Sequence, residues 1–164
     1  CSIGISTEFL KNEFEDSNVE GLDLSPFFLS MAMLRNEENN LNINYIHANA
    51  ESIPKENNYY DLVTCNFLFH ETPKEATIKI LEEINRVLRP NGILMITDLD
   101  KDILKEQLGK SKFRKWAFEM TEPHISEYYD TDIFSLLSEA GFEFISKVKN
   151  DPINSSWLAK KCKN

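Results

Sequence analysis

Apolar runs alternate with helical spacings from one end of the chain to the other. That alternation predicts an α/β domain with a mainly parallel sheet. A first helix is expected from about Ser6 to Phe14, with Ile5, Phe9 and Phe14 on one side, followed by a short strand from Val19 to Leu22. Ser25-Pro26 reads as an N-cap with Pro at the first helical position. The helix behind it is expected to carry Phe28, Leu29, Ala32 and Leu34 inward, and the Asn/Glu cluster from Asn36 to Asn40 reads as a short loop. Strands are expected at Ile43 to Ala48 and at Tyr60 to Phe67, the second introduced by the turn-forming pair Asn57-Asn58.

Thr72-Pro73-Lys74-Glu75 has the form of a capping box, in which Thr72 and Glu75 satisfy reciprocal backbone donors. Behind it Ala76, Ile80, Ile84, Val87 and Leu88 keep helical spacing, and Pro90-Asn91-Gly92 is expected to end that helix. Ile93 to Leu99 is a continuous apolar run, the pattern of a strand buried on both faces. The polar stretch from Lys101 to Met120 reads as one or two helices covering an opening. A helix from Thr131 to Ala140 is closed by Gly141. Phe142 to Lys149 and Ser155 to Lys161 read as strands. The connection of about five residues between them is too short for a parallel crossover and makes the pair an antiparallel hairpin.

At 164 residues and 19.0 kDa the chain suits one domain with a real core. The formal charge of −9 argues against a general binder of nucleic acid or of an anionic membrane surface, because the long-range field repels phosphate. No apolar run reaches the roughly 18 residues of a membrane span. Cys1, Cys65 and Cys162 form no C-x-x-C pair and no disulfide framework. That points to a reducing compartment, the cytosol or an organelle stroma. His47, His70 and His124 lie on separate segments without ligand spacing, so no metal site is expected.

Four segments carry candidate chemistry. Cys1-Ser2-Ile3-Gly4-Ile5-Ser6-Thr7 puts small residues at a helix start, where unpaired amides face a ligand, although a tight strand-to-helix turn explains the same residues. Asp23 closes the second segment, 19 residues after Gly4. A carboxylate there accepts both hydroxyls of an adenosine ribose; the bland reading is a charge near the next helix N-terminus. Asn49, in His47-Ala48-Asn49-Ala50-Glu51, is placed to read an adenine edge or simply to form a turn. The run from Asp61 to Glu71 delivers Asn66, His70 and Glu71 to the end of a central strand, where ligands bind in such sheets. A site role and a structural role for His70 are balanced on sequence alone.

Taken in order, Asp-Leu-Ser after the second strand, His-Ala-Asn-Ala-Glu, the Tyr-Asp-Leu-Val strand and Glu83-Ile84-Asn85-Arg86-Val87-Leu88-Arg89-Pro90-Asn91-Gly92 resemble class I S-adenosylmethionine-dependent methyltransferases. The match is to the type 11 group, ubiquinone/menaquinone C-methyltransferase-like. Cys-Ser-Ile-Gly-Ile-Ser-Thr, Gly-Leu-Asp-Leu-Ser-Pro-Phe-Phe-Leu, Phe69-His70-Glu71 and Thr121-Glu122-Pro123 are similar to a plant and cyanobacterial subset.

The resemblance implies a Rossmann-like three-layer sandwich ending in an antiparallel hairpin. It implies S-adenosylmethionine as cofactor, S-adenosylhomocysteine as product and a small-molecule O, N or C nucleophile as acceptor. The loop of Cys1, Ser2, Ile3 and Gly4 would face the methionine and ribose. Asp23 would hold the ribose hydroxyls with Leu24 on the adenine. Asn49 and Ala50 would stand at the adenine edge, and Asn66 and Phe67 at the methionine end. His70 is the expected base, with Glu71 or His124 as weaker ones, and His70, Glu71, His124 and Tyr128 are the expected substrate residues. Tyr128 and Tyr129 otherwise read as amphipathic packing, and Phe113, Trp116 and Phe118 as an acceptor-binding apolar face or, the preferred reading, as the core side of a lid helix. The chain departs from the family's Gly-x-Gly-x-Gly loop, of which Gly4 alone remains. The family's first strand would lie upstream of Cys1, so the chain reads as a single methyltransferase domain truncated at its N-terminus. The rival readings are an NAD-type oxidoreductase and a non-catalytic domain of the same fold.

Overall fold

The computed structural model describes residues 1–109 and 111–163 and divides into two units, Cys1–Pro54 and Lys55–Asn164. The expected helical stretch from Lys101 to Met120 includes Lys110, which lies outside the described residues.

The first unit runs α1 (Ile5–Glu13), β1 (Glu20–Asp23), α2 (Pro26–Asn39) and β2 (Asn44–His47). β1 and β2 pair in parallel, Gly21 opposite Tyr45 and Asp23 opposite His47. Ser25 caps α2 as expected, its hydroxyl accepting the Phe28 N–H at 3.3 Å, with Pro26 at the first helical position. The Asn36 to Asn40 cluster is not a loop: α2 continues through Asn39 and stops where Asn40 turns left-handed at φ 52°. Asn tolerates that conformation, so the polar cluster serves as a helix end. Leu29 and Ala32 are the buried side chains of α2, whereas Phe28 and Leu34 are 41% and 53% exposed. At 100° per residue Leu34 lies well round the helix from Leu29, off the face that meets the strands. The apolar side predicted for α1 is also exposed. Its buried residues are Thr7 and Glu8, because Glu8 forms a two-pronged pair with the Arg35 guanidinium of α2 at 2.8 Å per bond.

The second unit runs β3 (Tyr60–Asn66), a 3-10 turn (Phe69–Glu71), α3 (Lys74–Val87), β4 (Leu88–Leu99), α4 (Lys101–Gly109), α5 (Lys112–Thr121), α6 (Ile125–Asp130), α7 (Ile133–Glu139), β5 (Phe142–Lys149) and β6 (Asn154–Lys161). Its sheet has the order β3-β4-β6-β5. β3 and β4 are parallel, and β6 runs against both β4 and β5, so β5 points the same way as β3 and β4. The terminal hairpin is therefore present, and β6 alone reverses an otherwise parallel arrangement.

α3 buries Thr77, Ile80, Leu81, Ile84 and Val87 at helical spacing. Each large apolar side chain of that stripe is worth about 1.5–3 kcal/mol of burial. Its start is not the expected capping box. Pro73 is the cap, and the Thr72 hydroxyl is spent on the Thr77 hydroxyl and the Phe69 carbonyl. Its end also differs, since α3 passes straight into β4 after Val87. Pro90-Asn91-Gly92 lies inside the strand. Tyr60 faces Leu88 and Leu62 faces Ile93, so residues 89–92 bulge from the ladder with Asn91 at φ 66°. A Cβ at Gly92 would stand 2.8 Å from the Arg89 carbonyl oxygen, which is why the bulge takes glycine there. Along Ile93–Leu99 the alternate residues Leu94, Ile96 and Asp98 are fully buried. At its far end β6 is anchored by Lys161, whose ammonium donates to the carbonyls of Asn85 and Leu88 and to the Asn58 side chain.

Candidate active site

Two carboxylate centres emerge, one in each unit. In the first, the chain turns tightly from Cys1 to Gly4, with the Gly4 N–H on the Cys1 carbonyl at 3.0 Å. Ser2 and Gly4 are both left-handed, at φ 51° and 86°. A Cβ on Gly4 would come within 2.5 Å of the Tyr45 hydroxyl, so glycine is required at that point of the turn. The turn faces Asp23 at the end of β1. Asp23 Oδ2 accepts the Ser2 N–H at 2.6 Å and the Cys1 amino group at 2.9 Å, and Oδ1 accepts the Ser25 N–H at 2.9 Å. Burial opposes ionisation of Asp23, but the bonds from Ser25, Cys1 and Ser2 outweigh it and hold the carboxyl below its ordinary value. The turn that ends in Gly4 and the carboxylate of Asp23 thus lie side by side. Ile3 is half-buried in the same turn.

Leu24 follows Asp23 with its side chain 65% exposed, and its carbonyl is bonded by His47 Nε2 at 2.9 Å. Asn49 is exposed and uses its amide oxygen in a turn with the Glu51 N–H at 2.9 Å, while its Nδ2 reaches Glu51 at 3.3 Å. Its observed engagement is the turn-forming one, with Ala50 next to it half-buried.

The second centre is built where β3 and β4 end side by side. Phe67, just after β3, is left-handed at φ 54° and 48% exposed, and its N–H is tied to the Thr97 carbonyl at 2.8 Å. An aromatic residue there is strained, and such strain concentrates at functional sites. Asn66 precedes it, half-buried. His70 follows on the 3-10 turn. Its Nδ1 meets Asp98 Oδ1 at 2.5 Å, while Asp98 also accepts the N–H groups of Phe69 and Leu99. Asp98 is 1% exposed. Burial works against the His70 cation, but the Asp98 bond and charge, joined by Glu71 and Glu122, more than offset it and raise the imidazole pKa. The ring lies edge-on to Phe67 and Tyr128 at 6.5 and 6.4 Å.

Tyr128 donates to the Leu99 carbonyl at 2.6 Å, and burial raises its pKa, so it acts as a neutral, buried donor. Tyr129 is buried as well, in line with a packing role. His124 precedes α6 and makes no hydrogen bond or ring contact with His70 among the described residues. Phe113 and Trp116 are not a core side: they are 73% and 56% exposed and touch each other at 5.9 Å. Burial pushes the Cys65 thiol up to about 12, which removes it as a nucleophile.

Sequence reasoning missed Asp98 and Glu122. The available signal was Thr97-Asp98-Leu99-Asp100, two acids closing an apolar strand at the end where such sheets bind ligands.

Residues 1–92 match the family model for a methyltransferase domain. The chain belongs to that family. It is of the class I S-adenosylmethionine-dependent, type 11 kind. Among curated relatives, the ubiquinone/menaquinone biosynthesis C-methyltransferase UbiE of Yersinia enterocolitica is 30% identical over 141 residues, 83% of this chain and 54% of that protein. The chain thus spans about half the length of the curated relatives it matches. A SAM-dependent methyltransferase of Methanosarcina mazei is 17% identical with a TM-score of 0.77, covering 100% of this chain and 90% of that one. A SAM-dependent methyltransferase of Aquifex aeolicus is 23% identical with a TM-score of 0.76, covering 97% and 77%. These structures establish the fold as Rossmann-like α/β.

The methyltransferase residues present fit the cofactor by their chemistry. Asp23 uses three of the roughly four acceptor positions of a carboxylate, and Leu24 offers exposed apolar surface directly after it. A diol beside an aromatic base requires that pairing.

Proposed function

We propose that this chain binds S-adenosylmethionine and transfers its methyl group to an O, N or C nucleophile of a small molecule. The observation that carries the reading is Asp23 facing the Cys1–Gly4 turn at the end of β1. S-Adenosylmethionine supplies an electrophilic sulfonium methyl when bound. Asp23 accepts the ribose hydroxyls, taking up its free acceptor position and exchanging one loop donor. Leu24 packs on the adenine. Asn49 and Ala50 line the adenine edge, Asn49 through an Nδ2 whose present bond to Glu51 is long and exposed. The amides of Cys1, Ser2, Ile3 and Gly4 hold the methionine portion.

His70 takes the acceptor's proton. Asp98 fixes the Nδ1–H tautomer and leaves Nε2 without a hydrogen bond, the arrangement a general base needs. Glu71 and Tyr128 border that ring and His124 stands near the acceptor. The acidic net charge favours a small acceptor over nucleic acid. No helix among the described residues is long and apolar enough to cross a membrane. We place the protein in a reducing compartment, cytosol or stroma, as one methyltransferase domain.

Thermal unfolding with S-adenosylhomocysteine and with NADH tests the reading. At 100 times the Kd a ligand adds about 2.7 kcal/mol, so a clear rise in Tm with the first and none with the second is expected. The reverse would make the chain a dinucleotide-binding protein. Binding without turnover in both the native chain and His70→Ala would leave a non-catalytic domain.

A further inference from the structure

We propose that His70, Glu71 and Glu122 form a divalent-cation site. One ligand atom from each of the three lies within 4.8 Å of the others. The three come from separate pieces of the fold, two from the 3-10 turn after β3 and the third from just beyond α5, so the grouping is tertiary and not a run of acids along one segment.

The decisive feature is the state of His70. Its side chain is 9% exposed, yet its Nε2 makes no hydrogen bond; Glu71 Oε1 stands 3.8 Å off, beyond hydrogen-bond reach. The other nitrogen is locked by Asp98, a carboxylate that is itself fully buried and held by two backbone N–H groups. A carboxylate that orients a histidine through Nδ1 and frees Nε2 is the outer half of a carboxylate–histidine–metal arrangement. Glu71 and Glu122 supply the rest of the inner half.

The ligand set also sets the ion. One imidazole with two carboxylates suits zinc or manganese better than magnesium, which prefers oxygen alone. Bonds of about 2.0–2.2 Å put tetrahedral ligands roughly 3.3–3.6 Å apart. The present spacing of up to 4.8 Å closes to that by about 1.2–1.5 Å of side-chain movement, shared between Glu71, with its side chain 66% exposed, and half-buried Glu122. Three protein ligands leave coordination positions open for an oxygen of a small molecule. Here the inference rests on the methyl-transfer reading and revises one role in it: a cation on Nε2 would replace His70 as the group that activates the acceptor, by lowering the pKa of a bound acceptor oxygen so that its proton passes to solvent water.

The probe is Mn²⁺ alone, followed by the loss of its free-ion electron paramagnetic resonance signal as the chain is added. Manganese is chosen because it disfavours thiolates and so ignores the exposed Cys162. One bound ion per chain is expected. Glu122→Gln and Glu71→Gln, near-isosteric changes at accessible positions, should each weaken binding at least tenfold while leaving the metal-free Tm in place. Asp98→Asn should weaken it about 10–100-fold through the orienting bond. No binding to the native chain, or unchanged binding in both glutamine variants, would overturn the site. The titration contains neither cofactor nor acceptor, so its failure leaves the methyl-transfer reading standing, and failure of that reading leaves the titration valid.

Discussion

Asp23 and Asp98 each lie at the carboxyl end of a strand, and each accepts three hydrogen bonds. Asp23 is held by main-chain donors of the turn it faces, and its side chain is 19% exposed. Asp98 is sealed from solvent and its third partner is an imidazole. The first can trade a backbone donor for a ligand hydroxyl without leaving a buried charge behind. The second has no such freedom, because a missing partner would strand an ion in the interior. Exposure thus separates a carboxylate able to bind from one that positions another group.

Asp98→Ala presses hardest on that distinction. Removing one partner of a buried pair costs about 3–5 kcal/mol, and urea unfolding should show a loss of that order; a loss below about 1 kcal/mol would mean Asp98 is no more committed than Asp23. Gly4→Ala comes next. The left-handed backbone and the approach to Tyr45 should cost about 1–3 kcal/mol, read in the same unfolding series. A neutral result would show that the Cys1–Gly4 turn yields easily and that Asp23 faces a pliable loop.

Asp23→Asn should change stability less than either, yet weaken S-adenosylhomocysteine binding about tenfold, or 1.4 kcal/mol. Calorimetric titration measures it; equal affinity would remove Asp23 from the ribose. The smallest effect is in acid. Asp23 and Asp100 both titrate below their ordinary value of 3.8. Burial of Asp100 opposes its charge, but Lys147 and Ser155 at 2.7 Å each outweigh it. Their contribution is complete above the unfolded value and disappears as pH falls through the lower folded value. Urea midpoints should therefore decline below about pH 4. Asp100→Asn should flatten that decline more than Asp23→Asn, because Asp100 is 2% exposed and water screens its contacts less.

Local chemistry was legible in the sequence and long-range chemistry was not. Ser25-Pro26 started α2 where expected because a cap needs only its own turn. The β5–β6 hairpin followed from its short connection. Thr72 failed as a cap because Thr77, a turn further on, offered its hydroxyl a buried partner. α3 ended early because β4 recruits Leu88 into the ladder before Pro90 can act. In the site, Gly4 and Asp23 were readable as a spaced pair, and so was His70 at a strand end. Asp98 and Glu122 were not, since their meaning depends on β4 lying beside β3 and on the chain returning past α5. Asn49 lay between these cases: the residue was singled out, but its amide is engaged by its neighbour Glu51.

The strand order of the second sheet has a consequence for how the chain is made. β6 is synthesised after both β4 and β5 and sits between them. Until it emerges, β4 presents an open apolar edge, the kind that recruits other chains. The 62 residues from Leu99 to Lys161 take roughly 3–12 s at about 5–20 residues per second. Throughout that interval the carbonyls of Asn85 and Leu88 lack the Lys161 ammonium. Closure of the sheet thus waits for β6 on the ribosome, and a ribosome stalled before Lys161 would hold out a half-built sheet with its central slot empty.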